Sequence, residues 1–372
     1  MAERTDMEAA DTAKTTPTLL EAYQYDLPEN RIAQQPHERR DEAKLLVVQP
    51  DGACENHIFH ELPDLLRPGD LLVLNRTRVR RARLFGTDGE GRTVELFVVE
   101  LLPDGCSSIC LVRPGKHLHE GSTVTIDDRL TARIAAHAPH HPGARIVEWT
   151  VPEGTTLTDA IEEYGEMPLP PYIHDRDHDT SYYQTVYAEG DPSSVAAPTA
   201  GLHFTAELLA TLEAQGIGHV TIDLTVGMGT FLPIRTERIT DHTMHEERFT
   251  ITENVADRIN ATRRAGGRIV AVGTTVVRVL ESVVDEDSTV HSATGSTRLY
   301  IRPGHVFRSL DGLITNFHQP GSSLVVLVAT LLGYASWKQA YQWALDNAYQ
   351  FLSYGDAMLC WHPAHAGEDP AT

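Results

Sequence analysis

Apolar and polar positions along the chain indicate two kinds of structure. Short apolar runs at Lys44 to Val48 and Leu71 to Leu74 predict buried strands. Farther on, alternating runs are separated by Gly and Pro turns, at Thr93 to Leu101, Ser108 to Arg113, Ser122 to Ile126, Thr131 to Ala136 and Arg145 to Trp149. Because no helical period interrupts these runs, the segment predicts a small β-barrel or a β-sandwich.

From about residue 205 onward, helical periods alternate with apolar strands. Helices are predicted over Thr205 to Gly216, over Glu253 to Gly266 and from Thr274. Strands are predicted over His219 to Leu224, Arg268 to Val272 and Leu313 to Phe317. The predicted fold class is α/β, a mixed α/β domain with an inserted antiparallel β-barrel domain. The predicted boundaries are a disordered tail at 1–20, the α/β domain at 21–66 and 153–362, the barrel at 67–152 and a disordered tail at 363–372.

Composition limits the classes of partner. The 372 residues are 41% hydrophobic, which is enough to bury a full core. The net charge of −21 argues against a general nucleic-acid coat and against anionic membranes. The most apolar run, Leu324 to Leu332, is too short to span a bilayer and predicts a buried helix. The four cysteines lack metal-site spacing, which favours reduced thiols and a cytoplasmic protein.

A cluster of arginines contrasts with this acidic total. Residues Asn75 to Arg83 hold five arginines in nine positions. A solvated edge strand would explain the run, and so would a strip that contacts RNA phosphates. The contrast with the net charge favours the RNA strip, with Arg76, Arg78 and Arg83 as predicted contacts.

The stretch from Ser193 to Thr205, SSVAAPTAGLHFT, combines small residues with chemistry-bearing ones. Its Ala and Gly residues allow a backbone to approach a ligand closely, and Pro198 fixes a turn. Thr199 and His203 come just before a predicted helix N-cap at Thr205, where N–H groups favour anions. A tight structural turn before a capped helix is the alternative.

Two further turns follow predicted strands. VGMGTF places Gly227 and Gly229 at a strand's carboxyl end, where α/β sheets bind ligands. Gly273-Thr274-Thr275 lies between a strand and a helix, which is typical of an anion-binding turn. Arg278 lies one turn inside that helix and could pair with Glu281 at i, i+3, as an ordinary surface ion pair would.

The segment from Asp241 to Glu247, DHTMHEE, concentrates histidines and carboxylates. His242 and His245 are three residues apart, which is not the spacing of zinc proteases, so a structural zinc is disfavoured. A hydrogen-bonding or acid/base cluster that includes Glu247 is favoured instead.

Polar and aromatic residues also stand at the ends of other elements. Asn316 and His318 follow a predicted strand, and an asparagine presents both a donor and an acceptor. Tyr172 lies in a rigid proline-rich segment, where its ring could stack on a flat ligand. Tyr354 and Asp356 flank a glycine, which suits a ligand edge.

Taken together, these stretches resemble one family. In chain order they are YDLPENRIAQQP, PLPPYI, YQTVYA, VAAPTAGLHFT, VGMGTF, HTMHEE, AVGTTVVRVLES, LITNFHQP and SYGDAM. This order, over about Tyr23 to Leu359, resembles the S-adenosylmethionine:tRNA ribosyltransferase-isomerases of queuosine biosynthesis. The resemblance implies an α/β domain with an inserted β-barrel. It also implies transfer and isomerisation of the ribosyl moiety of S-adenosylmethionine onto 7-aminomethyl-7-deazaguanine in tRNA, giving epoxyqueuosine, adenine and methionine.

The reaction of this family makes demands on the site. S-adenosylmethionine is a consumed substrate that carries its own activation, so neither a cofactor nor a metal is expected. A base must remove a proton beside the sulfonium, and an acid should protonate the departing adenine. The catalytic candidates are His203, His242, His245 and His318, and which of them is the base stays open. The predicted substrate-binding residues are Tyr172, Thr199, Gly227, Gly229, Glu247, Thr274, Arg278, Asn316, Phe317, Tyr354 and Asp356. The predicted tRNA contacts are Arg76, Arg78 and Arg83.

The chain departs from the family pattern at several positions. Arg76 stands where the family usually has aspartate, Thr225 where it has histidine, Ser193 where it has glycine and Gln350 where it has arginine. Two alternatives therefore stand beside the main hypothesis. One is a divergent paralogue that uses another acceptor, and the other is a non-catalytic RNA-binding protein.

Overall fold

The structure, a computed structural model, describes residues 17–139, 143–175, 180–227 and 234–363. Of the two predicted tails, residues 1–16 and 364–372 lie outside these ranges. Residues 17–20, predicted to be disordered, are not: Leu19 forms an isolated bridge with Arg238, and Leu20–Tyr23 is a 3₁₀ turn.

The β-strands of the described ranges are β1 (Lys44–Val48), β2 (Cys54–Ile58), β3 (Leu71–Asn75), β4 (Arg78–Val79), β5 (Arg83–Asp88), β6 (Thr93–Leu101), β7 (Ser107–Arg113), β8 (Thr123–Asp127), β9 (Leu130–His137), β10 (Ala144–Thr150), β11 (Pro192–Ser194), β12 (Gly218–Leu224), β13 (Glu247–Ile251), β14 (Ile269–Val272), β15 (Ala293–Thr297), β16 (Gly312–Asn316) and β17 (Ala357–Trp361). The α-helices are α1 (Leu62–Leu65), α2 (Leu157–Tyr164), α3 (Ala206–Ala214), α4 (Glu253–Arg264), α5 (Thr274–Val283), α6 (Ser323–Leu332) and α7 (Tyr334–Asp346).

A mixed sheet organises the α/β domain. Across the described residues its nine strands run in the order β15-β13-β12-β3-β14-β16-β17-β1-β2. The neighbours β12, β3, β14 and β16 are parallel to one another. Parallel neighbours need crossover connections, which explains why helices alternate with strands in this half of the sequence. The carboxyl ends of these four strands consequently meet at one edge of the sheet.

Alternate residues of the central strands face two separate cores. Leu46 and Val73 pack with helices α4 to α7, whereas Leu45 and Leu74 pack on the other face, with α3. Burial on both faces explains the near-continuous apolar runs of β1 and β3. The predicted α/β fold class is therefore confirmed.

The helices start where their caps predict. Thr205 precedes α3, and its side chain accepts a hydrogen bond from the Leu208 N–H at 3.0 Å. Helix α6 has ten residues, seven of them buried, as its apolar run predicts. Within the described ranges, no helix combines the length and the apolar character that crossing a bilayer would require.

The inserted unit is a closed antiparallel barrel. In the described part of the chain its strand order is β10-β7-β6-β5-β8-β9, and its core is apolar, with Leu84, Leu96, Ile134 and Val147 fully buried. The barrel strands span Arg83 to Thr150. Strand β3, which falls inside the predicted insertion 67–152, belongs to the large sheet instead. The sequence did not reveal β5, because its first residue ends the arginine run.

Candidate active site

Two adjoining cavities lie at the carboxyl edge of the parallel strands β14 and β16. The larger one encloses about 710 Å³, its open mouth included, and the smaller one about 370 Å³. Thr274, Thr275 and Leu324 line both cavities, so the two share a wall. Open α/β sheets bind their ligands outside the carboxyl ends of their strands, and these cavities occupy that position.

Most of the predicted site residues line one of these cavities, although they come from distant segments. The larger cavity is lined by the predicted residues Tyr172, Thr199, Thr274, Asn316, Phe317 and His318. The smaller cavity is lined by the predicted residues His242, His245, Glu247, Thr274 and Arg278. The fold thus brings five separate motifs to one place.

The turn before α5 shapes the shared wall. Gly273 has a φ of 97°, which favours glycine, and its N–H donates to the Ile314 carbonyl at 2.8 Å. This turn starts α5 at Thr274, beside the end of β16. The N–H groups of Thr274 and Thr275 therefore lie at the positive end of α5, beside the shared wall.

His203 lies behind Asn316 rather than in a cavity. The Asn316 amide nitrogen Nδ2 is 3.1 Å from His203 Nε2, and both side chains are buried. The imidazole packs on Phe59, with ring centroids 5.0 Å apart. Burial lowers the pKa of His203 to about 4, against the attraction of Asp356 and a hydrogen bond to the backbone of Arg40. The imidazole is therefore neutral at pH 7.

This contact orients the Asn316 amide. A neutral imidazole whose other nitrogen bonds a backbone carbonyl presents Nε2 as an acceptor, so Asn316 Nδ2 donates to it. The opposite atom, Asn316 Oδ1, is buried and has no hydrogen-bond partner among the described residues. Buried polar atoms are normally paired, and this one belongs to a residue that lines the larger cavity. Asn316 therefore presents an acceptor to a ligand donor.

His318 lines the larger cavity directly. Its Nε2 is 2.9 Å from Thr315 Oγ1, and its backbone N–H donates to the Tyr341 hydroxyl at 3.2 Å. Burial lowers the pKa of His318 to about 3. Its imidazole is therefore also neutral at pH 7.

The other two candidate histidines line the smaller cavity. His242 is half-buried and packs edge-on against Tyr300, with ring centroids 5.4 Å apart. Burial lowers the pKa of His242, and the neighbouring His245 lowers it further. His245 is more exposed than His242.

Arg278 and Glu247 form a buried ion pair in the smaller cavity. Arg278 Nη1 donates to Glu247 Oε2, and Arg278 Nε donates to the Leu299 carbonyl at 2.9 Å. The predicted pairing of Arg278 with Glu281 is wrong. Glu281 instead accepts hydrogen bonds from the backbone of Ser309 and pairs with His305. The error arises because spacing along a helix does not reveal which strand lies across from it.

A strained turn completes the wall of the larger cavity. Leu352 has a φ of 71°, which is unusual for a branched side chain, and its N–H donates to the Phe317 carbonyl at 3.1 Å. The turn brings Ser353 Oγ to 2.7 Å from the Tyr172 hydroxyl. Burial raises the pKa of Tyr172 to about 12, so the phenol stays protonated. Ser353 was not predicted, because its partner is 181 residues away.

Tyr354 and Asp356, predicted to bind substrate, line neither cavity. The Asp356 carboxylate accepts the backbone N–H groups of Lys44 and Gln350, both at 2.7 Å. The Tyr354 ring packs edge-on against Tyr182, with centroids 6.0 Å apart. Both residues hold the surrounding loops in place.

Three other residues were predicted to bind substrate, namely Phe317, Gly227 and Gly229. The Phe317 ring is fully buried and packs on Phe351 at 4.7 Å between centroids, so it supports the cavity wall and offers no free face for stacking. Gly227 follows Val226, which lines the larger cavity, and a side chain added at Gly227 would meet nothing within 4 Å. Gly229 lies outside the described residues.

Arg76 forms internal ion pairs. Its Nε and Nη2 bind the two carboxylate oxygens of Asp223 at 2.9 and 2.8 Å, and its Nη1 binds Glu189 at 2.9 Å. Two carboxylates already accept hydrogen bonds from this guanidinium and neutralise its charge, so it attracts an RNA phosphate less strongly. The geometry therefore does not favour Arg76 as a tRNA contact.

The remaining arginines of the run differ in exposure. Arg83 Nε binds Glu95 at 2.8 Å, and its side chain is only 12% exposed. Arg80 is buried and donates to the Pro192 carbonyl at 2.9 and 3.1 Å. Arg78 and Arg81 are exposed. Of the predicted contacts, Arg78 is thus the one whose charge faces solvent.

The buried neutral histidines predict a pH-dependent stability. Below pH about 6.5, an unfolded chain protonates His203 and His318, whereas the folded chain keeps them neutral down to about 4 and about 3. Each of the two buried histidines should therefore lower the free energy of unfolding by about 2 kcal/mol as the pH falls from 7 to 5. We expect His203→Gln to lose less stability over this range than the native protein, as measured by urea unfolding. An identical pH dependence in both proteins would contradict a neutral His203.

The chain is similar to known proteins of one family over most of its length. The sequence model of a family described as "Queuosine biosynthesis protein" matches residues 20–360. A Thermosynechococcus vestitus protein named S-adenosylmethionine:tRNA ribosyltransferase-isomerase is 47% identical over 342 residues, which cover 91% of this chain and 95% of that protein. A Hyphomonas neptunium protein of the same name is 45% identical over 350 residues, covering 91% of this chain and 99% of that one. The crystal structure of S-adenosylmethionine tRNA ribosyltransferase from Thermotoga maritima is 33% identical, with a TM-score of 0.52, and covers 91% of this chain and 99% of that one.

Proposed function

The chain belongs to the S-adenosylmethionine:tRNA ribosyltransferase-isomerase family of queuosine biosynthesis, and on that premise we propose that the two adjoining cavities are its active site. The enzyme moves the ribosyl moiety of S-adenosylmethionine onto 7-aminomethyl-7-deazaguanine in tRNA and isomerises it. Epoxyqueuosine, adenine and methionine are the products. The proposal rests on one observation: residues from five separate motifs line two cavities that share a wall.

The walls of the cavities suit this chemistry. Asn316 Oδ1 can accept a hydrogen bond from an N–H of adenine or of the deazaguanine, and His203 holds the amide in that orientation. His318 is our candidate for the base, because it lines the larger cavity directly. His242 and His245 line the smaller cavity and are further candidates for proton transfer.

The proposal includes no cofactor. The sulfonium of S-adenosylmethionine is its own leaving group, so the protein has to position it, remove the adjacent proton and assist adenine departure. We place the enzyme in the cytoplasm, since its tRNA substrate is there.

The positions that depart from the family pattern lie outside the lining of both cavities: Arg76, Ser193, Thr225 and Gln350. Arg76 pairs with Asp223 and Glu189. Thr225 Oγ1 is 3.4 Å from Ser193 Oγ. The departures therefore give no support to an acceptor other than the family's tRNA substrate.

Adenine release tests the proposal. The purified protein should release adenine from S-adenosylmethionine when tRNA carries 7-aminomethyl-7-deazaguanine. It should release little or none with tRNA that lacks this base. Equal release with both tRNAs would point to another acceptor, and no release with either would fit a non-catalytic RNA-binding protein.

The exposure of Arg78 predicts that this residue contributes to the salt dependence of tRNA binding. We expect Arg78→Ala to reduce the slope of log K against log salt for tRNA binding by about one unit, because one phosphate contact is lost. Arg83→Ala is the matched control: it comes from the same run, but Arg83 already binds Glu95, so the slope should stay unchanged. Filter binding across a salt series measures both slopes. If Arg78→Ala leaves the slope unchanged, the exposed part of the run is a solvated face.

A further inference from the structure

We infer that the smaller cavity is the subsite for the α-carboxylate of the methionyl group of S-adenosylmethionine, and that Arg278 binds this carboxylate. The inference rests on the proposed function, which puts S-adenosylmethionine in these cavities. It adds a direction to that binding, with the adenosyl part in the larger cavity and the methionyl part in the smaller one.

The inference rests on Arg278 Nη2, a buried nitrogen without a hydrogen-bond partner among the described residues. The Nε and Nη1 of Arg278 are held by the Leu299 carbonyl and by Glu247. Its third nitrogen, Nη2, is buried and finds no acceptor among the residues that the structure describes. The residue is 4% exposed and lines the smaller cavity. A buried cationic donor without a partner is costly, so it indicates a ligand that supplies the missing acceptor.

Helix α5 provides a second, independent attraction for an anion. It is ten residues long, and its first residues, Thr274 and Thr275, line both cavities. Their N–H groups are at the positive end of the helix, where carboxylates and phosphates bind favourably. Arg278 lies one turn along the same helix. The guanidinium and the helix terminus therefore act on the same small cavity.

The chemistry of the substrate selects the carboxylate. S-adenosylmethionine has one anionic group, the α-carboxylate, and it lies at the opposite end of the molecule from adenine. A guanidinium fork matches carboxylate geometry. Glu247 already neutralises part of the Arg278 charge, so the subsite suits a single negative charge. A tRNA phosphate carries chain on both sides, which a donor buried this deeply does not accommodate.

Decarboxylated S-adenosylmethionine provides the test, because it keeps adenine, ribose and sulfonium but lacks the carboxylate. With saturating precursor tRNA, the kcat/KM of the native protein should be about 10- to 100-fold higher for S-adenosylmethionine than for the decarboxylated compound. A difference of this size, about 10- to 100-fold, is expected from the loss of one charged hydrogen bond. Arg278→Lys, which keeps the charge beside Glu247 but loses the fork, should reduce this preference to a few fold, mainly through KM. Arg298→Gln is the matched control, because Arg298 is exposed, pairs with Glu246 and lines neither cavity. It should keep the native preference.

A buried charge left alone could unfold the protein, so a second variant accompanies the first. Arg278→Gln with Glu247→Gln removes both charges of the pair, and it should also lose the preference for the carboxylate. An undiminished preference in the folded Arg278 variants would overturn the inference, and so would a native protein that uses both compounds equally. A smaller salt slope for tRNA binding together with an intact preference would assign Arg278 to a phosphate. Failure of the native protein to turn over S-adenosylmethionine at all would instead reject the proposed function.

Discussion

Asn316→Ala should lower kcat for epoxyqueuosine formation by about a hundredfold or more, with the fold retained. The variant removes Asn316 Oδ1, a buried acceptor with no hydrogen-bond partner among the described residues, on a residue that lines the larger cavity. Loss of one such hydrogen-bonding group in a water-poor site typically costs about 10²- to 10³-fold in rate. Single-turnover rates with precursor tRNA measure the effect, and circular dichroism checks the fold.

Two companion variants sharpen this result. His203→Ala should act in the same direction but less strongly, because it removes the group that orients the amide and leaves the acceptor itself in place. Asn260→Ala is the matched control: the Asn260 side chain makes two hydrogen bonds with the backbone of Val290 and lines neither cavity. Its kcat should stay close to native. Near-native turnover in Asn316→Ala would remove Asn316 from the reaction.

The second large effect should come from Gly201→Ala. A Cβ at this position would overlap Tyr187 Oη and lie 2.9 Å from Thr185 Cγ2. The Tyr187 ring packs edge-on against Phe204, so it cannot move aside freely. Overpacking of this kind costs about 1–3 kcal/mol. It should also displace the turn that carries Thr199 and His203, so activity should fall together with stability, as measured by urea unfolding and by adenine release.

Gly227→Ala controls for a general effect of replacing glycine near the site. A Cβ at Gly227 meets nothing within 4 Å, so its unfolding free energy should change by less than about 0.5 kcal/mol. If Gly201→Ala is as stable as Gly227→Ala, the close approach of Tyr187 does not constrain this turn.

Much of the fold follows from the apolar pattern of the chain. Strand β1 and strand β6 match their predicted bounds, because a period of two or a continuous apolar run is a local property. Strand β5 was missed because its neighbours in sequence are arginines and glycines. Strand β3 was assigned to the barrel, because its partners β12 and β14 lie far along the chain.

The sequence predicted which residues lie at the site better than it predicted which side chains pair with each other there. Turns at strand ends identified Thr274, Asn316 and His318, because ligands bind at the carboxyl edge of a parallel sheet. The stretch of small residues before α3 identified Thr199. Pairings across the fold were not predictable. Arg278 binds Glu247 from another strand, and Asp356 holds backbone N–H groups where a ligand was expected. Such pairs depend on which elements become neighbours, and spacing along the chain does not contain that information.

Nucleoside analysis of modified tRNA tests the central claim most directly. Precursor-bearing tRNA is incubated with S-adenosylmethionine and the native protein, digested to nucleosides and examined by mass spectrometry. The native protein should form epoxyqueuosine in amounts that match the adenine and methionine released, and Asn316→Ala should form little of it. The proposed function would be wrong if the native protein bound both substrates yet formed no epoxyqueuosine, and the role of Asn316 would be wrong if Asn316→Ala formed as much as the native protein.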